Sequence, residues 1–158
     1  AWERGDIDAT YVWEPALSKV KASGHVLTDS KQVGEWGAPT YDLWVVRKDF
    51  AEKNPKFLKA FVKTSLKQVE AYQQDPKAFE QNTDNIQKIA QLTGSDVKDI
   101  PLLLSGNIYL NGQQQHATLA GEFAKNIFDT ATFLKSQGKV DQVKPDYQAN
   151  VTTQFLQP

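Results

Sequence analysis

An aspartate at position 42 stands among rings in the run Glu35-Trp36-Gly37-Ala38-Pro39-Thr40-Tyr41-Asp42-Leu43-Trp44-Val45-Val46. An earlier run, Asp6-Ile7-Asp8-Ala9-Thr10-Tyr11-Val12-Trp13-Glu14-Pro15, also closes on an aromatic ring and a carboxylate. Such clusters suit a small ligand that carries apolar methylenes and a cationic nitrogen. The ring face attracts the cation, and an acid neutralises it where water is displaced. Enzymatic chemistry is poorly served. His25 follows Gly24 at a helix end, and His116 closes the polar run Gln113-Gln114-Gln115. Neither has the partner that general-base work requires. No nucleophile elbow, zinc-protease helix, phosphate loop or dinucleotide fingerprint occurs. Asp6 and Asp8 are too few to hold calcium. The expectation is a binding protein without catalytic residues, cofactor or metal.

Composition sets the outer limits. A chain of 158 residues, 40% hydrophobic and 11% aromatic, has the size and core-forming content of one globular domain. A net charge of −1 offers no footprint for nucleic acid or an anionic membrane. The absence of cysteine excludes disulfides, thiolate zinc sites and cysteine nucleophiles. No apolar run approaches the roughly 20 residues that span a bilayer.

The elements that must position the aromatic–acid clusters follow from pattern. Trp2-Glu3-Arg4-Gly5 has the form of a last helical turn closing on glycine. That abrupt start predicts a piece of something longer. Residues 7–13, 26–28 and 41–46 have strand composition. Pro15 through Lys21, ended by Gly24, reads as the helix between the first two strands, with Asp29-Ser30 a turn. Strand, helix and strand together predict a parallel βαβ unit. Beyond Asn54-Pro55 the pattern is helical. Phe57, Leu58, Phe61, Val62, Leu66, Val69 and Tyr72 form one stripe. Asp75-Pro76 starts a short helix through Phe79. Asp84 is expected to cap a helix with the face Ile86, Ile89, Ala90 and Leu92, closed by Gly94. Ser95 is expected to cap another through Leu102, Leu103 and Leu104. One long final helix carries Leu119, Phe123, Ile127, Phe128, Ala131 and Leu134 and ends at Gly138. Three strands cannot cover so many amphipathic helices, which again predicts a missing strand-bearing portion.

The residues also carry a resemblance. Trp2 to Asp8, Trp13 with Pro15, Val26-Leu27-Thr28-Asp29-Ser30, Trp36-Gly37-Ala38-Pro39-Thr40 and Trp44 to Lys53 resemble the family of taurine-binding periplasmic proteins. Asn107, Tyr109-Leu110, Gln113-Gln114-Gln115 and Phe133 to Val140 continue the likeness at proper spacing. Such proteins are the substrate-binding subunits of ABC importers for aliphatic sulfonates. The resemblance corresponds to the C-terminal half of the family and implies an α/β fold, periplasmic binding protein-like (type II), with two lobes. It places 1–38, the βαβ portion, in the smaller lobe, and 39–158, a crossing strand and mostly helices, in the larger. It further implies taurine or a related sulfonate as ligand, a membrane permease as partner, and a periplasmic location, with the signal peptide outside this chain.

Taurine unites a sulfonate, two methylenes and an ammonium. Asp42 is the candidate for the ammonium, against the alternative of a solvent-facing strand residue. Trp13, at the C-terminal end of a predicted parallel strand, covers the ethylene chain or meets the ammonium through its ring face, against the alternative of a core aromatic that seals the lobe. Glu14 is either a second acid for the ammonium or, more simply, a carboxylate at a helix N-terminus. Trp36, Thr40 and Tyr41 are candidates by adjacency to Asp42, and Tyr41 replaces the aliphatic residue expected in close relatives. The family's sulfonate site lies mainly in the other half, so this chain alone is expected to bind taurine weakly or not at all. Its uncovered apolar stripes predict self-association. Two other readings compete: a binder or synthase of a thiamine pyrimidine precursor on the same fold, and an interaction module that docks a partner through its helices.

Overall fold

The computed structural model describes residues 1–156, and the regular structure among them is helical. In chain order the helices are α1 (Ala16–Lys21), α2 (Ser30–Glu35), α3 (Lys48–Lys53), α4 (Pro55–Gln74), α5 (Pro76–Gln81), α6 (Thr83–Thr93), α7 (Ile100–Ser105), α8 (Gly112–Ala120) and α9 (Phe123–Ser136). Single 3₁₀ turns occur at Trp2–Arg4, Val97–Asp99 and Gln148–Asn150.

The βαβ portion of the expected α/β fold is not found among the described residues. Segments 7–13, 26–28 and 41–46 form no strand ladder. Strand composition reports fitness for a pleated, half-buried surface, and that surface needs a paired neighbour. Here the apolar side chains of these segments stay open: Leu27 is 87%, Trp44 80% and Val45 90% exposed.

The chain divides into two compact units. The first joins residues 1–29 with 71–109. Gly5, in the left-handed region at φ 71°, ends the opening 3₁₀ turn as its sequence predicts. The Trp2 indole donates to Ser23 Oγ at 3.0 Å. Gly24 lies so close beneath that ring that a Cβ there would stand 2.8 Å from Trp2 Cζ2. The core of this unit is Ile86, Ala90 and Ile100, with Ile89, Leu103 and Leu104 against it. Asp75 caps α5 by accepting from the Ala78 N–H at 2.9 Å. The cap of α6 is Asn82, which accepts from the Asn85 N–H at 3.1 Å, not Asp84. Asn82 has the extended backbone a cap needs, whereas Asp84 already lies in the first turn. Leu92 is 86% exposed, off the face it was assigned to, because six residues from Ile86 point to the far side of a helix. Ser95 does not cap α7; a 3₁₀ turn behind the extended Asp96 leads into it instead.

The second unit joins residues 30–70 with 110 onward. Helices α2 and α3 replace an expected turn at Asp29-Ser30 and an unassigned stretch after Val46. Both are only six residues long, too short to show an apolar period. Leu58 of α4 is buried, as are Phe123, Ala124 and Phe155. Asn111 and Gln114 form a reciprocal capping box that starts α8. The single long final helix is in fact two, broken at Gly121, where ψ is −121°. A backbone that leaves the helical region there lets α9 begin afresh at Phe123.

Candidate functional site

Of the six candidate residues, Trp13 and Glu14 belong to the first unit, and Trp36, Thr40, Tyr41 and Asp42 to the second. Trp13 and Glu14 are adjacent in sequence, as are Thr40, Tyr41 and Asp42, and among the described residues no hydrogen bond, ion pair or ring contact joins Trp36 to the others of its set.

Trp13 presents an exposed indole immediately before α1, while its carbonyl accepts from the Leu17 N–H at 3.0 Å. Glu14 turns onto the same helix. Its Oε2 accepts from the Ser18 N–H at 3.1 Å and from the Ser18 hydroxyl at 2.7 Å. One first-turn N–H of α1 is thereby satisfied by a carboxylate, the role of a helix-terminal acid.

In the second unit, α2 runs out at Glu35, and the Trp36 N–H still bonds back to the Gln32 carbonyl at 3.1 Å. The Trp36 ring is exposed, and so is Thr40. Tyr41 is differently engaged. Its ring meets Phe123 edge-on, with centroids 5.0 Å apart at 87°. Its hydroxyl accepts from the Asn126 Nδ2–H at 2.9 Å. Trp44 makes a second edge-on contact, 5.1 Å from Phe61 of α4. Asp42 thus lies on a stretch of backbone held at both ends by aromatic contacts. Its own carboxylate is exposed and has no hydrogen bond or ion pair among the described residues.

The neighbouring acid Asp49 differs, because Arg47 engages it twice, Nε to Oδ1 at 3.0 Å and Nη2 to Oδ2 at 2.7 Å. That pair, with Val45, Val46, Phe50 and Lys53, borders an open hollow of about 380 Å³. None of the six candidates lines it. Sequence reasoning passed over this hollow, although the run Arg47-Lys48-Asp49-Phe50 was its signal. Asn126 was also missed, since a polar residue on a helix face gives no hint of a partner 85 positions away. Among the described residues no group of histidine, aspartate or glutamate side chains is placed to hold a metal ion. None of the helices described is long and apolar enough to cross a membrane.

Residues 1–92 match the family described as the substrate binding domain of ABC-type glycine betaine transport system. The chain is 52% identical over 157 residues to the taurine-binding periplasmic protein of Escherichia coli (strain K12), which covers 99% of this chain and 49% of that protein. It is 26% identical over 162 residues to the putative aliphatic sulfonates-binding protein of Bacillus subtilis (strain 168), covering 99% of this chain and 43% of that one. The chain therefore spans about half the length of the curated relatives it matches. With more than half of its residues in the match, the chain belongs to the family of substrate binding domains of ABC-type transport systems described for glycine betaine.

Proposed function

We propose that the chain serves as part of a periplasmic solute-binding protein of an ABC importer, binding taurine or a related aliphatic sulfonate between two lobes and presenting it to a membrane permease. In this reading residues 1–38 belong to the smaller lobe, and 39–158 supply a crossing segment and the helices of the larger one. Asp42 neutralises the ammonium, Trp13 covers the ethylene chain, and Trp36, Thr40 and Tyr41 wall the site. Glu14 lies at its edge, with its main duty to α1. The protein delivers its ligand and does not transform it.

The observation that carries the reading is the 52% identity, over 99% of this chain, to a taurine-binding periplasmic protein. Asp42, exposed and without a hydrogen bond or ion pair among the described residues, is the acid assigned to the ammonium by its place between Tyr41 and Trp44 in the sequence. Asp6, Asp49, Asp96 and Asp129 each have a basic side chain within ion-pair distance, whereas Asp42 has none among the described residues. A trimethylated ammonium has no N–H to donate and needs ring faces more than an acid, whereas a primary ammonium rewards a carboxylate. That contrast favours an amino-sulfonate.

Thermal-shift measurements on the full-length protein test the reading, with taurine, glycine betaine and a pyrimidine as ligands. The expected outcome is stabilisation by taurine that Asp42→Ala removes, because losing a hydrogen bond to a charged group weakens binding roughly ten- to hundredfold. Stabilisation by the pyrimidine or by glycine betaine, without any by taurine, overturns it. The chain of 158 residues by itself is expected to bind taurine weakly or not at all, and micromolar affinity in a calorimetric titration contradicts that expectation. Its open segments around Leu27 and Trp44-Val45 favour self-association, which light scattering detects.

A further inference from the structure

We propose that Asn126 is a positioning residue for the cationic end of the ligand, acting through Tyr41 on the carboxylate of Asp42. This inference rests on the assignment of Asp42 to the ammonium.

Asp42 makes no bond of its own to the protein, so its direction is set by the backbone that carries it. Two neighbours hold that backbone. Tyr41 is clamped by the Phe123 ring and by the Asn126 amide, both on α9, and Trp44 is braced on Phe61 of α4. A ring contact alone lets an aromatic side chain slide in its plane. The Asn126 amide adds a directional bond at the far end of the tyrosine and fixes how deeply the ring sits over Phe123. Phe123 is itself buried, so Tyr41 packs on a ring that is enclosed by the protein. The peptide joining residues 41 and 42 is therefore ordered before any ligand arrives, and a site ordered in advance loses less entropy on binding. The phenol is the feature that α9 recognises. An aliphatic residue at position 41 cannot accept the Asn126 bond.

The test measures affinities of the full-length protein for taurine and for ethanesulfonate, which lacks the amine, in Asn126→Ala, Tyr41→Phe and Asp42→Asn. Asn126→Ala is expected to weaken taurine roughly three- to tenfold, the range for one neutral hydrogen bond, while leaving ethanesulfonate unchanged, and Tyr41→Phe, which removes the acceptor of the same bond, is expected to weaken taurine by a similar factor. Adding Asn126→Ala to Asp42→Asn is expected to cause no further loss, because both act on one contact. Equal weakening of both ligands in Asn126→Ala would mean general loosening and overturns the proposal, as does unchanged taurine affinity in both Asn126→Ala and Tyr41→Phe. Tyr41→Phe keeps the ring and guards against a misfolded Asn126 variant. If Asp42→Asn leaves taurine binding intact, the ammonium assignment itself fails. If Asp42→Asn weakens taurine and the other two variants do not, only the positioning role fails.

Discussion

Asn126 donates its side-chain amide to the Tyr41 hydroxyl across 2.9 Å, joining α9 to the residue immediately before the exposed Asp42. The pair shares its footing with the buried Phe123 ring, so polar and apolar contributions to the same anchor can be separated by substitution.

Tyr41→Phe removes only the acceptor, and the half-buried Asn126 amide can turn toward water. The expected loss of stability is about 0.5–1.5 kcal/mol. Phe123→Ala empties a buried site and is expected to cost about 3–5 kcal/mol. Urea unfolding of the three proteins checks the order. A Phe123→Ala variant no less stable than Tyr41→Phe would show that the ring is not the foundation of the anchor.

Glu14 offers a clean separation of helix role from ligand role. Its carboxylate serves the Ser18 N–H and hydroxyl, so Glu14→Ala is expected to destabilise the protein by about 0.5–1 kcal/mol, the usual value of a lost helix cap. Taurine affinity of the full-length protein should change far less than in Asp42→Ala. Comparable losses in the two variants would make Glu14 a ligand acid instead.

Helix punctuation was the most legible part of this chain. Gly5, Asp75 with Pro76, and Gly94 end or begin helices where sequence reasoning puts them, because each acts through its own local backbone or side chain. The errors share another cause. Asn82 outcompeted Asp84 for the cap on backbone geometry that composition does not reveal, and Gly121 broke a stripe whose period continues across the break. Residues 7–13, 26–28 and 41–46 read as strands but lack a ladder, since pairing depends on residues elsewhere. At the site, the rings around Asp42 were legible as types. That Tyr41 and Trp44 turn to Phe123 and Phe61 was not, because partners distant in sequence leave no periodic trace.

Tyr72 gives a pH-dependent test in the first unit. Its hydroxyl donates to Glu80 Oε1 at 2.8 Å, beside the rings of Phe79 and Tyr109. Burial, followed by the bond to Glu80, pushes its pKa from the ordinary 10.0 up to about 12. The folded state therefore holds this proton more tightly than the unfolded chain does. The resulting stability is fully present below pH 10.0 and is lost as the pH rises through about 12. Tyr72→Phe is expected to flatten this alkaline slope in denaturant titrations. Spectroscopic titration should show one phenol ionising later than the others, and that late step should vanish in the variant. If it persists, another tyrosine is responsible.

The core of the first unit supplies the sharpest contrast between neighbouring side chains of similar size. Ile100 is fully buried against Ile86 and Ala90 at the start of α7, whereas Leu92, near the end of α6, is almost entirely in water. Truncating Ile100 to alanine removes three carbons from a site whose neighbours on two helices relax only in part. The expected cost is about 2–5 kcal/mol, from lost burial and the cavity together. Leu92→Ala removes the same number of carbons from a surface already wet, and its effect should stay within about 0.5 kcal/mol. Helical propensity even favours alanine slightly at that position. Measured by urea unfolding, similar losses in the two variants would mean that Leu92 is covered in solution, and would restore it to the apolar face with Ile86 and Ile89.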